Sequence, residues 1–154
     1  MAKNILSGSG RKKAVVLGLV GDLGGGKTAF LQGFAKGLGI KEKILSPTFI
    51  IIRRIGNFYH IDCYRLKKSK EIFSLGFKEI ISNPKNIVAI EWADRIQRVL
   101  PKNTIMLRFE FAGKNARKIT ISTLKRRQNG VQEKIQSDGW PFGSRPGISV
   151  LRHG

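Results

Sequence analysis

The glycine-rich segment GDLGGGKT, residues 21–28, constrains this chain most, because it matches the pattern GxxxxGK followed by Ser or Thr. Glycines let the backbone wrap around phosphate oxygens, so that successive N–H groups and a helix N-terminus face the negative charge. In such a loop the Lys27 ammonium reaches the β- and γ-phosphates, and the Thr28 hydroxyl ligates Mg²⁺. The segment therefore predicts a site for ATP and Mg²⁺, with an ordinary glycine-rich turn as the alternative. The predicted nucleotide contacts are Gly21, Asp22, Leu23, Gly24, Gly25, Gly26, Lys27, Thr28 and Ala29.

The residues on both sides of this loop provide the structural context that the motif requires. Residues 14–20, AVVLGLV, form a continuous apolar run rich in β-branched side chains, which is typical of a strand buried on both faces. After the loop, Leu31, Phe34, Ala35 and Leu38 recur at helical spacing, and Gly39 is a natural stop. The sequence therefore predicts a strand, a glycine-rich loop and a helix, in that order.

The rest of the chain alternates between short strands and short helices. FIIIRRI at 49–55, a turn at Gly56-Asn57 and FYHID at 58–62 predict a hairpin. One or two short helices are expected within residues 67–81, then a buried strand at 87–91 and a helix at 93–100 that Pro101 ends. TIMLRFEF and RKITIST predict late antiparallel strands around Gly113. The fold class is therefore α/β: a three-layer P-loop NTPase fold with a mostly parallel central sheet and an antiparallel edge.

Composition divides the chain into one domain with two extensions. Residues 1–13 are basic and expected to be flexible, residues 14–124 form the P-loop domain, and residues 125–154 lack periodicity and are expected to be disordered. About half of the formal net charge of +19 lies in terminal segments, yet the middle of the chain remains basic. An anionic partner such as RNA fits this charge, and so does a solvated surface that binds nothing.

Two absences narrow the class of protein. No apolar run approaches the roughly 18 residues that cross a bilayer, and the N-terminus lacks the apolar stretch of a secretory signal, so a cytoplasmic protein is expected. The single cysteine, Cys63, excludes an internal disulfide and a cysteine-based metal site.

Two predicted strands end in a carboxylate, FYHID at Asp62 and IVAIE at Glu91. Ligands bind outside the carboxyl ends of parallel strands, so both acids are expected at the phosphate site. The shorter Asp62 suits a water-mediated Mg²⁺ contact, and the longer Glu91 can orient a water toward the γ-phosphate. The alternative is that one of them caps a helix or pairs with Arg65 or Arg95. The predicted metal environment is Thr28, Asp62 and Glu91.

Three other positions have both a functional and a structural interpretation. Ser46 and Thr48 in SPTF lie between the first helix and the next strand, where loops that sense the γ-phosphate occur, although a simple turn also fits. Trp92 is either a core residue or a lid over the site. His60 is interpreted as a strand residue with a satisfied ring.

Taken together, GDLGGGKT, SPTF, YHIDCYRL and IEW resemble the bacterial TsaE family, also called YjeE, over about residues 15–121. The resemblance implies ATP hydrolysis in the tRNA threonylcarbamoyladenosine pathway and association with TsaD and TsaB. It also implies that Lys27, Glu91 and Asp62 are catalytic, that Ser46, Thr48 and Trp92 contact the nucleotide, and that Arg117 lies near its base. The chain departs from the family pattern at Cys63, which replaces an aliphatic residue. Of the helix that the family carries before the first strand, only AKNIL would remain.

Two other functions compete with this ATPase. A small-molecule kinase uses the same loop, but the sequence offers no obvious acceptor domain or arginine-rich lid. A non-hydrolysing module would use the nucleotide and the basic surface only to dock RNA or a protein.

Overall fold

A seven-stranded mixed sheet forms the centre of the computed structural model, which describes residues 10–45, 51–124 and 149–152. The strands are β1 (Val15–Gly21), β2 (Ile52–Ile55), β3 (Phe58–Asp62), β4 (Ile87–Glu91), β5 (Ile105–Gly113), β6 (Ala116–Thr123) and β7 (Ser149–Arg152). Their order across the sheet is β2-β3-β4-β1-β5-β6-β7. The strand carrying the predicted phosphate loop, β1, therefore lies between β4 and β5 in the middle of the sheet.

Strands β3, β4, β1 and β5 run parallel, whereas β2–β3, β5–β6 and β6–β7 are antiparallel pairs. Both predicted hairpins are confirmed, and the parallel centre is flanked by antiparallel pairs on both sides rather than at one edge. The reason is connection length, because the short turns at Gly56-Asn57 and after Gly113 can join only antiparallel neighbours. The parallel neighbours β3 and β4 are joined by a longer helical crossover.

Helical segments cover both faces of the sheet. Helix α1 (Lys27–Gly37) packs on one face, and the other carries helix α2 (Phe77–Ser82) with two 3₁₀ helices, Ser69–Leu75 and Ala93–Val99. Alternation along β1 separates the two cores: Leu17 and Leu19 pack toward α1, whereas Val16 and Val20 pack against the opposite layer. The three-layer prediction is confirmed. The helix expected at 93–100 is instead a 3₁₀ segment, interrupted at Ile96, whose φ is −118°.

The structure differs from the predicted C-terminal tail at Ser149–Arg152, which pair with β6 as strand β7. Residues 125–148, 153 and 154 lie outside the described residues, as do residues 1–9 of the basic N-terminal segment. Ser46 and Thr48 also lie outside them. No helix in the described ranges is long and apolar enough to cross a membrane.

The end of β1 is fixed by a close backbone approach at Gly21. Its φ is +145°, and a Cβ atom added there would lie 2.5 Å from the carbonyl oxygen of Phe109 on β5. Gly24 also has a positive φ, +73°, yet a Cβ there would meet nothing within 4 Å. A side chain would strain the backbone at either position, but only at Gly21 would it also collide with a neighbouring strand.

We expect Gly24→Ala to lower the free energy of unfolding by about 1–2 kcal/mol, the usual cost of a left-handed residue with a side chain. Gly21→Ala should cost clearly more, because the β1–β5 backbones must separate as well. Urea unfolding of both variants beside the parent protein measures the difference. Equal losses would show that the approach to Phe109 does not constrain β1.

Candidate functional site

The loop after β1 folds tightly, and its last two glycines, Gly25 and Gly26, hold positions that disfavour a side chain. The Gly25 N–H donates to the Asp22 carbonyl oxygen at 3.0 Å, and a Cβ on Gly25 would lie 2.9 Å from that same oxygen. Gly26 precedes α1 in the left-handed conformation, with φ 95° and ψ 11°. The loop therefore directs the N-terminus of an 11-residue helix at the space that it encloses.

A cavity of about 230 Å³ lies in front of the loop. This volume is below the roughly 300–1,000 Å³ of pockets for drug-sized ligands, so it matches a phosphate chain better than a whole nucleotide. Its lining consists of the loop, the start of α1 and the end of β4: Leu23, Gly24, Gly25, Gly26, Lys27, Thr28, Ala29, Glu91 and Trp92.

The Lys27 side chain is almost fully buried at the cavity wall. Its ammonium donates to the carbonyl oxygens of Gly21, at 2.6 Å, and of Asp22, at 2.8 Å. It also lies 3.9 Å from the centre of the Trp92 ring. Burial lowers the pKa of Lys27, and the negative charge of Glu91 opposes that shift. Because the contacts of the Lys27 ammonium are neutral carbonyl oxygens and an aromatic ring, its positive charge can still attract an anionic ligand.

Glu91 lies at the centre of a hydrogen-bonded chain that joins three elements. The Thr28 hydroxyl, in the first turn of α1, lies 3.0 Å from each carboxylate oxygen of Glu91. From β3, the Nε2 atom of His60 lies 2.9 Å from Glu91 Oε1. Glu91 and His60 are both buried. Glu91, at the end of β4, thus contacts the Thr28 hydroxyl, which the sequence motif predicts to bind Mg²⁺.

Asp62 ends β3 directly opposite Glu91 in the strand register. Its Oδ1 atom accepts the backbone N–H of Tyr64 at 2.9 Å, and its charge acts on Lys27. The structure therefore brings both predicted acids to the same end of the sheet, but it is Glu91 that contacts Thr28. Asp94 is exposed, and its charge also acts on Lys27.

Trp92 follows Glu91 in a backbone conformation that side chains rarely adopt, with φ 57° and ψ 43°. Such a residue is strained, typically by 1–3 kcal/mol, and persists only where its surroundings impose it. Its ring contacts the Lys27 ammonium on one side and packs 5.0 Å from the Tyr64 ring, centre to centre. Trp92 packs against the core cluster on its face of the sheet and also lines the cavity, so its position agrees with parts of both interpretations.

Arg117 lies on β6, and its side chain comes close to the loop. A Cβ atom on Gly26 would be 3.9 Å from Arg117 Cγ. The guanidinium donates to the Ala116 carbonyl oxygen at 2.9 Å and lies 4.2 Å from the centre of the exposed Phe111 ring. Arg117 thus lies beside the last glycine of the loop, at the start of α1.

These residues have the chemistry that Mg-ATP requires. The loop offers backbone N–H groups, a buried cation and a hydroxyl beside a carboxylate. No group of three or more His, Cys, Asp or Glu side chains in the described ranges could hold a metal alone. Magnesium commonly binds through one or two carboxylates plus substrate phosphates, so a site of this kind fits that ion.

The residue that sequence reasoning missed is His60. The sequence predicts a strand residue with a satisfied ring; His60 does lie on β3, but only Nε2 is bonded, to Glu91, and among the described residues Nδ1 has no partner. Only the alternation of FYHID offered a signal, because His60 and Asp62 share one face of β3.

The three-layer arrangement and the glycine loop between β1 and α1 are those of a P-loop NTPase fold. A family model described as Threonylcarbamoyl adenosine biosynthesis protein TsaE matches residues 1–119. The TsaE protein of Bacillus subtilis is 37% identical over 128 residues, covering 80% of this chain and 79% of that protein. That of Treponema pallidum is 36% identical over 110 residues, covering 70% and 81%. The crystal structure of Bacillus subtilis YdiB superposes with a TM-score of 0.59 at 34% identity, covering 78% of this chain and 76% of that one. The chain therefore belongs to the TsaE family of threonylcarbamoyladenosine biosynthesis.

The lowered pKa of Lys27 has a consequence for stability. Between its folded pKa and its usual value of 10.5, the unfolded chain binds more protons at this position than the native one. The contribution of Lys27 to stability must therefore rise with pH in that window. As pH rises from 7 to 10, we expect the Lys27→Met variant to lose stability relative to the parent protein, because only the parent gains the contribution of Lys27. Urea titrations of both proteins at each pH measure this, and a difference independent of pH would contradict the burial of a charged ammonium.

Proposed function

We propose that this chain binds Mg-ATP in the loop of residues 21–28 and hydrolyses it, as the ATPase of a tRNA-modifying complex. Membership of the TsaE family already assigns it to threonylcarbamoyladenosine biosynthesis. The observation that carries the catalytic part is the contact between the Thr28 hydroxyl and the Glu91 carboxylate, 3.0 Å apart, at the wall of the phosphate cavity. In P-loop NTPases this pairing of hydroxyl and acid marks the metal side of the site.

Each residue at the cavity then has a distinct task. The loop N–H groups and the helix N-terminus bind the phosphates, and Lys27 exchanges the carbonyls of Gly21 and Asp22 for phosphate oxygens. When bound, Mg²⁺ would neutralise charge on the β- and γ-phosphates. Thr28 and Glu91 would hold it, with Asp62 contributing through a water. Glu91 also accepts a hydrogen bond from the attacking water and so orients it.

The partners are proposals from family resemblance. We infer TsaD-like and TsaB-like proteins as the other subunits, and a cytoplasmic location stays a prediction, as does contact of tRNA with the basic surface. Ser46 and Thr48 remain the predicted sensors of the γ-phosphate.

We expect Lys27→Ala and Thr28→Val to abolish Mg-dependent phosphate release, which should rise in the parent protein when TsaD and TsaB are added. Losing a buried phosphate contact typically lowers the rate at least about 100-fold. Lys36→Ala is the matched control, because Lys36 is an exposed lysine of the same helix. Phosphate release is followed with and without Mg²⁺.

The other outcomes of this experiment separate the functions. Release that survives Lys27→Ala would refute the ATPase proposal. Tight ATP binding with no single-turnover hydrolysis in the full complex would indicate a non-hydrolysing module. Consumption of ATP that depends on an added hydroxyl substrate would indicate a kinase.

The position of Arg117 supports a second part of the proposal, that the adenine lies on the β6 side of the loop. The stem of the Arg117 side chain lies beside Gly26, and its guanidinium is fixed by the Ala116 carbonyl and by the Phe111 ring, so a flat group is already in place on this side of the loop. A planar base can stack on such a guanidinium.

We expect Arg117→Ala to weaken ATP binding about 10-fold, the effect of losing roughly 1.4 kcal/mol of stacking. Binding of inorganic tripolyphosphate, which has no base, should be unchanged. Calorimetry with both ligands measures this, and Lys118→Ala is the control because Lys118 is exposed on the same strand. Equal weakening of both ligands would place Arg117 at the phosphates instead.

A further inference from the structure

We infer that His60 is a positioning residue, whose ring holds the Glu91 carboxylate against Thr28 and leaves one carboxylate oxygen available to a water. The inference rests on the proposed function, since it concerns how the acid of that site is oriented. His60 does not line the cavity, and its ring acts only through Glu91.

The strand register places His60 where it can act on Glu91. His60 pairs with Ala89 and Asp62 pairs with Glu91 across the parallel β3–β4 ladder, so all four side chains lie on one face. This is the face that α1 covers, because Ala89 belongs to the core cluster that contains Leu31 of that helix. His60 is 0% and Glu91 2% exposed, so no bulk water competes for the bond between them.

The hydrogen-bond partners determine the tautomer of the ring. An ionised carboxylate only accepts hydrogen bonds, so the bond of 2.9 Å to Glu91 Oε1 requires a proton on His60 Nε2. Within the described part of the chain, the buried Nδ1 atom has no partner. An N–H group at Nδ1 would be a second donor, buried and without an acceptor in that part of the chain. The geometry therefore places the donated hydrogen on Nε2.

The bonds to the carboxylate are unevenly distributed. Oε1 receives His60 Nε2 and lies within reach of the Thr28 hydroxyl, whereas Oε2 has only the Thr28 hydroxyl at 3.0 Å. Since a hydroxyl donates one hydrogen, Oε2 keeps more unused acceptor capacity. Oε2 is therefore the oxygen that would accept a hydrogen bond from the attacking water. Without the ring, the carboxylate could rotate and Oε1 would compete for that role.

Stability alone does not account for this pair. A buried ring nitrogen without a partner costs folding free energy, and a buried polar pair is often no better than apolar side chains of similar size. Hydrogen-bond partners of metal-binding side chains instead act by fixing orientation, and their loss typically lowers metal affinity or activity by about 10–100-fold.

Two substitutions at His60 separate orientation from packing. His60→Phe keeps a planar ring but has no donor, whereas the amide nitrogen of His60→Gln can occupy the position of Nε2. We expect His60→Phe to lower kcat for phosphate release by about 10–100-fold with little change in KM for ATP. His60→Gln should recover most of the loss. Thermal unfolding verifies that each variant is folded, and His60→Met is the second donor-free variant if the phenylalanine does not fit.

A measurement without nucleotide tests the geometry directly. Long-range ¹H–¹⁵N correlations of the apo protein should show hydrogen on Nε2 of His60, with His153, the second histidine, distinguished by the spectrum of His60→Gln. An Nε2 atom without hydrogen would overturn the inference, and so would unchanged kcat in a folded donor-free variant. Equal loss in His60→Gln and the donor-free variants would also overturn it. Absence of ATP hydrolysis in the parent protein would instead refute the proposed function, and the spectrum would still decide the position of the proton.

Discussion

A buried carboxylate must receive hydrogen bonds, and the arrangement of this site depends on how Glu91 receives them. Its donors come from α1, through Thr28, and from β3, through His60. Glu91 therefore ties the helix that follows the loop to two adjacent strands, at the edge where the parallel strands end. Removing either donor would leave a buried carboxylate with fewer hydrogen bonds, so the position of α1 and the orientation of the acid depend on each other.

The same site contains two features that oppose stability. Lys27 is buried at a position where its charged form is disfavoured, and Trp92 adopts a left-handed backbone conformation. The two are in contact, because the Trp92 ring covers the ammonium at 3.9 Å, which offsets part of the cost of burial. Since the carbonyls of Gly21 and Asp22 supply the other contacts, Lys27 is held in place without a direct ion pair to a carboxylate in the described ranges. A lysine held in this way can move to a ligand without first breaking a strong charge pair.

The sequence predicted the loop, α1, both hairpins and the two strand-terminal acids, because each depends on local patterns of glycine spacing and hydrophobic periodicity. It assigned Asp62 to Mg²⁺ and Glu91 to the attacking water by side-chain length alone. It could not show that Glu91 is the acid that reaches Thr28, since that contact is made across the sheet. Local sequence patterns could not predict the contact between His60 and Glu91 either, because these residues are 31 apart in the chain and meet only through the register of β3 and β4. Strand β7 was missed because it follows a long aperiodic segment, and only its pairing with β6 makes it a strand. The family contacts assigned to Ser46 and Thr48 remain predictions.

Different parts of the sheet support the two ends of the proposed nucleotide. The parallel strands β3, β4 and β1 supply the acids, the histidine and the phosphate loop, whereas Arg117 and Phe111 belong to the antiparallel β5–β6 pair. Strand β5 extends past the point where β1 turns at Gly21, and this extra length brings Arg117 to the side of Gly26. Contacts on the antiparallel hairpin can therefore change without disturbing the Thr28–Glu91–His60 chain. In the proposed site, a change at Arg117 would therefore alter affinity for the adenine base without altering the orientation of Glu91.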